Sequence, residues 1–309
     1  MAAVIAAHLP RKAKPLAYKA AFSIAQRREI AGVHFRSDTI AGFALGAWIG
    51  YQVISKIGPV ISGEIKAEFI KVMENTYRDV NIALINEMAK IAEDNNIDIW
   101  EARELANKHP RVNYVKPGPG VGGHCIAVDP WFLTNNPGNC QLIKASRDVN
   151  DNMPNIVLGA VKTLVKDVEN PIITILGVAY KANVSDARET PALKFIRLAL
   201  NEGFTIRVHD PHVKRFDYLL EDLSDATFDS DCIVLITDHE VFRAINPQQL
   251  RVRNKVLLDT RNFLDHEAWI KSGFDVKVLG RPEIMKGASD IEQAVAPKAK
   301  EVLEQRIST

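Results

Sequence analysis

One cysteine of this chain directly follows a glycine-rich loop, and that combination could carry out covalent chemistry. Residues 117–131 read PGPGVGGHCIAVDPW, with Cys125 after the glycines and Asp129 four positions later. Glycines let the backbone approach a ligand closely, and main-chain N–H groups in such a loop can hold a phosphate or an oxyanion. A thiolate attacks aldehydes, and a nearby carboxylate can orient or activate water. The pattern indicates a nucleophilic cysteine; a structural loop with a buried thiol is the alternative.

The same glycines match the dinucleotide-binding pattern G-x-G-x-x-G at Gly118, Gly120 and Gly123. That motif should follow a strand, open a helix and be followed by an acidic residue about 20 positions later. Residues 115–117 do not make a convincing strand, and Cys125 interrupts the start of any helix. We therefore reject a dinucleotide site in this loop.

Upstream of the loop, a lysine and an asparagine share one face of a predicted helix. Apolar residues recur near the helical period over residues 64–108, and Lys71 and Asn75 are four positions apart. Side by side, a lysine and an amide can bind a hydroxyl oxygen and stabilise the oxyanion that forms on it. A solvated, charged helix face is the alternative for such a pair.

The second half of the chain predicts the scaffold for these groups. Residues 141–168 form a further predicted helix, and four short β-branched runs follow at 172–176, 205–208, 232–237 and 255–259. Stretches of helix length separate most of these runs, which predicts a parallel sheet flanked by helices. Ligands bind at strand ends in such folds. The polar residues at the predicted strand ends are Lys181, His209, Asp210, Asp238 and Arg261.

Composition excludes several classes of protein. The 309 residues should form two or three domains, and a net charge of +1 with interspersed signs gives no footprint for nucleic acid. Three cysteines without metal-ligand spacing indicate a reducing compartment, the cytoplasm, and no metal site. The uncharged run 39–55 is shorter than the ~20 strongly apolar residues of a spanning helix, so we interpret it as a core or interface helix rather than a membrane segment.

Roughly residues 64–282 resemble the UDP-glucose/GDP-mannose dehydrogenase family. The family's central dimerisation helix resembles KAEFIKVMENTYRDVNIALINEMA, and its catalytic-cysteine loop resembles PGPGVGGHCIAVDPWFL. The opening of its C-terminal UDP-binding domain resembles ILGVAYKANVSDARETPA, and VHDPHV and LITDHEVF fit later motifs. His124 in place of a serine, and VDPW after the cysteine, resemble the branch that acts on UDP-N-acetylhexosamines, with UDP-N-acetylmannosamine the closest fit.

The resemblance implies two successive NAD-dependent oxidations at C6 of a sugar, from alcohol to aldehyde to acid. Cys125 would capture the aldehyde as a thiohemiacetal, which is oxidised to a thioester and then hydrolysed. Lys71 and Asn75 match the family's oxyanion-stabilising pair, and Asp129 matches its water-orienting carboxylate.

The resemblance also implies residues that bind the substrate. These are Arg111, Gly120, Gly122, Gly123, Lys181 and Arg188. Arg111 resembles an arginine that reaches the substrate of the partner subunit, so a homodimer is implied. Lys181 and Arg188 match positions that contact the cofactor or the sugar nucleotide, and an interdomain salt bridge is the alternative for Arg188.

The first 60 residues depart from the family, which begins with an NAD-binding Rossmann domain. Residues 26–38, QRREIAGVHFRSD, resemble instead the last motif of phosphatidic acid phosphatases and class A acid phosphatases. There Arg28 would bind phosphate, His34 would be the nucleophile and Asp38 would orient the imidazole. The two upstream motifs of those enzymes are missing, so we interpret this segment as a remnant. We also expect the NAD-binding domain to be absent from this chain.

The sequence thus predicts an α/β protein in four parts. They are a helical, phosphatase-like remnant (1–60), a central all-helical dimerisation and catalytic-cysteine domain (64–168), a Rossmann-like parallel-sheet UDP-binding domain (169–282) and a tail (283–309). The predicted function is a nucleotide-sugar 6-dehydrogenase that is inactive alone. A UDP-sugar-binding dimerisation module without turnover, or a phosphohydrolase that uses His34, are the alternatives.

Overall fold

A computed structural model describes residues 62–135 and 139–282 of the chain. They belong to two compact units, one with residues 62–76 and 128–140 and the other with residues 77–127 and from 141 onward. The predicted N-terminal remnant, its apolar run 39–55 and the predicted tail lie outside the described residues. Within the described part of the chain, no helix has the length and apolar character needed to cross a membrane.

Two helices occupy the segment that was predicted to be helical from 64 to 108. Helix α1 spans Ser62–Asp94, and helix α2 spans Ile99–Ala106. Between them Asn96 takes a left-handed φ of 55°, and Asp98 caps α2 by accepting hydrogen bonds from the N–H groups of Trp100 and Glu101. The continuous helix expected from periodicity was therefore wrong at residues 95–98, because Asn and Asp readily compete with helix by bonding the backbone locally.

Two further helices follow the glycine loop. Helix α3 is a short one at Asp129–Phe132, and helix α4 spans Gln141–Leu164 with Pro154 inside it. Because a proline has no N–H, it cannot donate to the carbonyl of Asn150 one turn earlier. That carbonyl instead lies against the glycine loop, 3.3 Å from where a side chain on Gly120 would begin.

In the described part of the chain, five parallel strands form a sheet in the order β2-β1-β3-β4-β5. Their bounds are β1 Ile172–Leu176, β2 Thr205–His209, β3 Cys232–Leu235, β4 Val256–Asp259 and β5 Asp275–Val278. The predicted α/β class with a parallel sheet is confirmed, and β5 is an edge strand that the sequence reasoning missed. The strand order reverses between β1 and β3, which is the point where open sheets of this kind bind ligands.

Apolar side chains cover both faces of this sheet. Ile173 and Ile175 of β1 pack on one face with Phe195 of helix α5, Pro191–Asn201. Leu176 of β1 packs on the other face with Trp269 of helix α7, His266–Lys271. A short helix α6, Leu223–Thr227, precedes β3. A sheet buried on both faces needs near-continuous apolar strands, and β1 and β3 are accordingly apolar at every position but Thr174.

Candidate active site

A cavity of about 250 Å³ opens at the carboxyl ends of β1, β3 and β4, at the reversal of strand order. Its walls come from the glycine loop, from the turn after β1, from the start of α5 and from the ends of β3 and β4. The lining residues are Pro119, Gly120, Ala179, Tyr180, Lys181, Ala182, Pro191, Ile236, Thr237, Asp238 and Arg261. The cavity therefore brings together Gly120 and Lys181, two predicted site residues that are far apart in the sequence.

The charged groups of the cavity favour an anionic ligand. Lys181 and Arg261 each carry a positive charge into its lining, and Asp238 is the one carboxylate among the lining residues. Asp238 Oδ1 lies 3.3 Å from Arg261 Nε, and this contact orients the guanidinium. A planar guanidinium and a lysine ammonium together suit phosphate oxygens.

Two of the polar residues expected at the strand ends do not line the cavity. His209 directs its ring Nδ1 at the carbonyl oxygen of Glu221, 2.8 Å away. Asp210 is buried and accepts hydrogen bonds from the surrounding protein. The expectation that these two side chains face a ligand was therefore wrong, because the protein itself uses their polar atoms.

The glycines next to the cysteine pack against the protein. A Cβ on Gly122 would come within 2.8 Å of the carbonyl oxygen of Glu189. Gly123 has a φ of +85°, and a Cβ there would lie 3.0 Å from the Tyr180 ring. The N–H of Gly123 donates to the carbonyl of Arg188 over 3.0 Å. These contacts fix the cysteine loop on the segment before α5, and the roles of Gly122 and Gly123 in substrate binding stay predictions.

Cys125 is half-buried and follows this docked part of the loop. Arg188 holds a hydrogen-bonded ion pair with Asp186, which raises the pKa of its guanidinium, and the charge of Cys125 contributes in the same direction. The Arg188 guanidinium therefore lies close enough to Cys125 for their charges to interact. In contrast, burial in β3 strongly raises the pKa of the Cys232 thiol.

The other predicted catalytic residues lie in the first unit. Asn75 Nδ2 donates to Asp129 Oδ2 over 2.6 Å, so two groups 54 residues apart in the chain meet. Asn75 is buried, and Asp129 is held in place as the first residue of α3. Lys71 is exposed and pairs with Glu74 over 3.4 Å. Spacing on the helix correctly placed Lys71 and Asn75 one turn apart, but it carried no information about the contact with Asp129.

Arg111 lies apart from the cavity in the described structure. Its side chain is exposed in the turn after α2, and its backbone N–H donates to His109 Nδ1 over 3.2 Å. Its predicted contact with the substrate of a partner subunit stays a prediction.

Sequence reasoning missed a buried polar network that holds the glycine loop. Asn86 Oδ1 accepts the N–H of Gly118 over 2.9 Å, and Asn86 Nδ2 donates to Asn150 Oδ1 over 3.0 Å. Asn150 Nδ2 and Arg147 Nη1 both donate to Asp79 Oδ1, over 2.9 and 2.6 Å. The sequence signal for this network was spacing. Asp79 and Asn86 are seven residues apart, so they lie on the same face of α1, in a stripe that is otherwise apolar.

Known families match most of the described chain. Residues 65–152 match the central domain of the UDP-glucose/GDP-mannose dehydrogenase family, and residues 174–266 match the UDP binding domain of that family. None of the comparisons supports the resemblance of the first 60 residues to phosphatases, and Arg28, His34 and Asp38 lie outside the described residues.

Curated relatives of this chain carry the names of sugar-nucleotide dehydrogenases. A UDP-N-acetyl-D-mannosamine dehydrogenase of Methanococcus maripaludis is 48% identical over 221 residues, covering 69% of this chain and 52% of the relative. An NDP-N-acetyl-D-galactosaminuronic acid dehydrogenase of Ralstonia solanacearum is 38% identical over 218 residues, covering 68% and 51%. The chain thus spans about half the length of the curated relatives it matches.

Solved structures agree with these matches. The UDP-D-ManNAc dehydrogenase of Pyrococcus horikoshii superposes with a TM-score of 0.63 at 38% identity, covering 71% of this chain and 53% of that one. The UDP-N-acetyl-mannosamine dehydrogenase Cap5O of Staphylococcus aureus gives a TM-score of 0.62 at 39% identity, covering 70% and 51%.

Proposed function

Because the chain belongs to the UDP-glucose/GDP-mannose dehydrogenase family, we propose that it is the substrate-binding and thiol-bearing part of a nucleotide-sugar 6-dehydrogenase. The proposed substrate is UDP-N-acetylmannosamine, the sugar nucleotide named for its relatives at 48% and 39% identity. The proposed boundaries are a central helical domain at residues 64–168 and a UDP-binding domain at residues 169–282. A reducing cytoplasm is the proposed location, since the chemistry requires Cys125 as a thiol.

The observation that carries this proposal is the cavity at the strand reversal. It lies in the region that matches the UDP binding domain, and Lys181 and Arg261 supply positive charge at its wall. A nucleoside diphosphate sugar has two phosphates, which these cations suit. Gly120, in the loop before Cys125, also lines the cavity. A ligand in the cavity would therefore lie against the segment that leads to Cys125.

The proposed chemistry starts at the Cys125 thiolate, with the Arg188 guanidinium close enough for the two charges to interact. The thiolate sulfur adds to the carbonyl carbon of a C6 aldehyde, the C–S bond forms, and the carbonyl electron pair moves to oxygen to give a thiohemiacetal after protonation. Lys71 and Asn75 are proposed to stabilise that oxygen, and Asp129 is proposed to orient the water that later releases the acid. The hydrogen bond from Asn75 supports the last role, because it fixes the carboxylate of Asp129.

NAD supplies the oxidation in this family, but the described sheet does not fit it. The turn after β1 has one glycine, Gly177, with a φ of +84°. A Cβ there would meet Thr237 at 2.5 Å, so this glycine allows close packing against the segment after β3 rather than the approach of a pyrophosphate. Helix α5 begins only at Pro191, well beyond the turn. The described sheet therefore lacks the glycine-rich turn and adjoining helix that would hold an NAD pyrophosphate.

Homodimerisation through α1 is part of the proposal. Large apolar side chains remain exposed along this helix at spacings of three, four and seven residues. They include Phe69, Met73, Tyr77, Leu84, Met88 and Ile91. Soluble monomers rarely leave so long an apolar stripe in water, so a second copy of the helix would cover it.

Calorimetric titration of the purified chain tests the proposed substrate. UDP-N-acetylmannosamine and UDP should bind, and replacing Lys181 or Arg261 with methionine should weaken binding of both by ~10-fold or more, as expected for a hydrogen bond to a charged group. Lys166→Met is the matched control, because Lys166 is exposed just after α4 and outside the cavity. If the unchanged chain does not bind UDP, the proposed function is wrong.

A UDP-sugar-binding module without turnover is the second candidate, and the poor fit of the sheet to NAD favours it. Absorbance at 340 nm with NAD and UDP-N-acetylmannosamine tests whether this chain turns over by itself. We expect binding of the sugar nucleotide without NADH from this chain alone. Measurable NADH would show that the chain holds a cofactor site elsewhere and would exclude the second candidate.

A further inference from the structure

A buried aspartate–histidine pair lies behind the cavity wall. Asp210 follows β2 and His239 follows β3, and Asp210 Oδ2 lies 3.0 Å from His239 Nε2. Both side chains are fully buried. Neither lines the cavity, so no direct contact with a ligand accounts for them.

The Asp210 carboxylate makes hydrogen bonds with the segments that follow β1, β2 and β3. Its Oδ2 accepts the N–H groups of Val178 and Ala179, over 2.7 and 3.0 Å, from the turn after β1. Its Oδ1 accepts the N–H groups of His212 and Val213, over 2.8 and 2.9 Å, after β2. Burial by itself raises the pKa of Asp210, but the hydrogen bonds from His239 and these amides outweigh burial and hold the pKa well below its usual range. Asp210 is therefore an ionised acceptor.

An ionised acceptor fixes the protonation of the histidine. A carboxylate has no proton to give, so His239 Nε2 must be the donor in this pair. The other ring nitrogen of the neutral imidazole is then an acceptor, and His239 Nδ1 accepts the backbone N–H of Asn183 over 2.8 Å. His239 thus connects Asp210 to the backbone of the turn after β1.

Lys181 lies in the middle of the turn that this pair holds at both ends. Ala179 is bound on one side by Asp210, and Asn183 is bound on the other by His239. Asn183 takes a left-handed φ of 58°, and its side-chain oxygen accepts the N–H of Glu240 over 2.9 Å. The turn therefore cannot shift without breaking contacts to the segment after β3.

We propose that His239 is a positioning residue that presents Lys181 to the diphosphate of a sugar nucleotide, with Asp210 orienting the imidazole. This inference rests on the proposed function of the cavity. Part of the affinity of the site then depends on two groups, His239 and Asp210, that do not contact the ligand. The ring of His239 also packs against His212 and Phe242, with centroids 4.7 and 5.4 Å away, so an aromatic replacement preserves the packing.

Three variants separate positioning from packing. His239→Phe keeps a ring but deletes both hydrogen bonds, and UDP affinity measured by calorimetry should fall by roughly 10-fold, the usual cost of losing one charge-assisted contact. His239→Gln can still donate to Asp210 and accept from Asn183, and it should recover most of the affinity. His209→Phe is the matched control, because His209 is a neighbouring histidine whose ring bonds the Glu221 carbonyl instead. It should bind UDP as the unchanged chain does.

A double-mutant cycle with Lys181→Met tests the route of the effect. If His239 acts through Lys181, the double variant should bind UDP no more weakly than Lys181→Met alone, since the two changes remove the same interaction. Additive losses, or unchanged affinity in His239→Phe, would overturn the inference while the proposed function stands.

Amide hydrogen exchange provides the readout that needs no ligand. In His239→Phe the Asn183 amide should lose its protection while the amides of β1 keep theirs. If the unchanged chain fails to bind UDP, the proposed function fails, and exchange still decides whether His239 holds the turn. Unchanged protection at Asn183 would overturn the positioning role in either case.

Discussion

Replacing Arg147 with methionine would leave a charge without its partner in the core of the helical segment. The Arg147 and Asp79 side chains are 1% and 0% exposed, and their ion pair has a length of 2.6 Å. The pair is imperfectly satisfied, since Asp79 Oδ2 and Arg147 Nε have no hydrogen-bond partner among the described residues. Breaking a buried pair by removing one partner typically costs about 3–5 kcal/mol of the free energy of unfolding. We expect a loss of this size for Arg147→Met at neutral pH.

The loss should depend on pH in a direction set by Asp79. Burial is the largest influence and raises the pKa of Asp79, although Arg147 and Asn150 oppose it. A carboxylic acid whose pKa is higher in the folded state binds more protons there than in the unfolded state. Its contribution to the free energy of unfolding therefore falls as the pH rises from the unfolded-state pKa to the folded-state pKa. Removing Arg147 raises the folded-state pKa further and widens that window. The defect of Arg147→Met should therefore shrink as the pH is lowered from 8 toward 5.

Urea denaturation followed by circular dichroism at several pH values measures this effect. Asp79→Asn combined with Arg147→Met removes the buried charge and should recover part of the stability. Lys162→Met is the matched control, because it breaks an ion pair with Glu202 whose side chains are 49% and 40% exposed, and such pairs contribute only ~0–1 kcal/mol. A loss below about 1 kcal/mol for Arg147→Met, or one that grows toward pH 5, would refute the reasoning.

Three further predictions concern the cysteine loop and helix α1. Limited iodoacetamide treatment with mass-spectrometric mapping should label Cys125 first, because burial raises the pKa of the Cys232 thiol; faster labelling of Cys232 would contradict this. In thermal melts, Gly123→Ala should destabilise the chain by about 1–2 kcal/mol, because Gly123 has a positive φ and a Cβ there would contact a tyrosine ring. Gly159 lies in helix α4 with open space around it, so Gly159→Ala should be neutral or stabilising by up to ~1 kcal/mol. Light scattering should show a dimer that Met73→Glu converts to monomer, since a charge enters the exposed apolar stripe of α1; a monomer without the substitution would exclude the interface.

Local signals in the sequence were sufficient for the main elements. Each of residues 172–176 is β-branched or apolar, and the strand begins and ends at those residues. The glycine-rich loop before Cys125 was found from composition, and its formal G-x-G-x-x-G pattern was rejected for lack of a strand and a helix. The structure agrees, since residues 113–120 contain no strand and α3 begins only at Asp129. Such features depend on neighbouring residues alone, so a linear pattern records them.

Short or marginal elements were beyond these patterns. Strand β5, Asp275–Val278, has four residues at the sheet edge, two of them charged, and resembles a loop until β4 pairs with it. The break between α1 and α2 depends on one left-handed residue, Asn96, inside a segment of otherwise good helical periodicity. In both cases tertiary contacts determine the outcome where local preference is weak.

The use of each polar side chain was decided only in the tertiary structure. The sequence predicted Lys181, Asp210 and Arg261 alike at strand ends. In the structure Lys181 and Arg261 line the cavity, whereas the buried Asp210 carboxylate accepts five hydrogen bonds from the protein. Asn75 meets Asp129 across 54 residues, and Asn86 meets Gly118 across 32. A residue's type limits which bonds it can form, but its partner depends on how distant segments pack, because a buried donor or acceptor must be satisfied by whichever group the fold brings within reach.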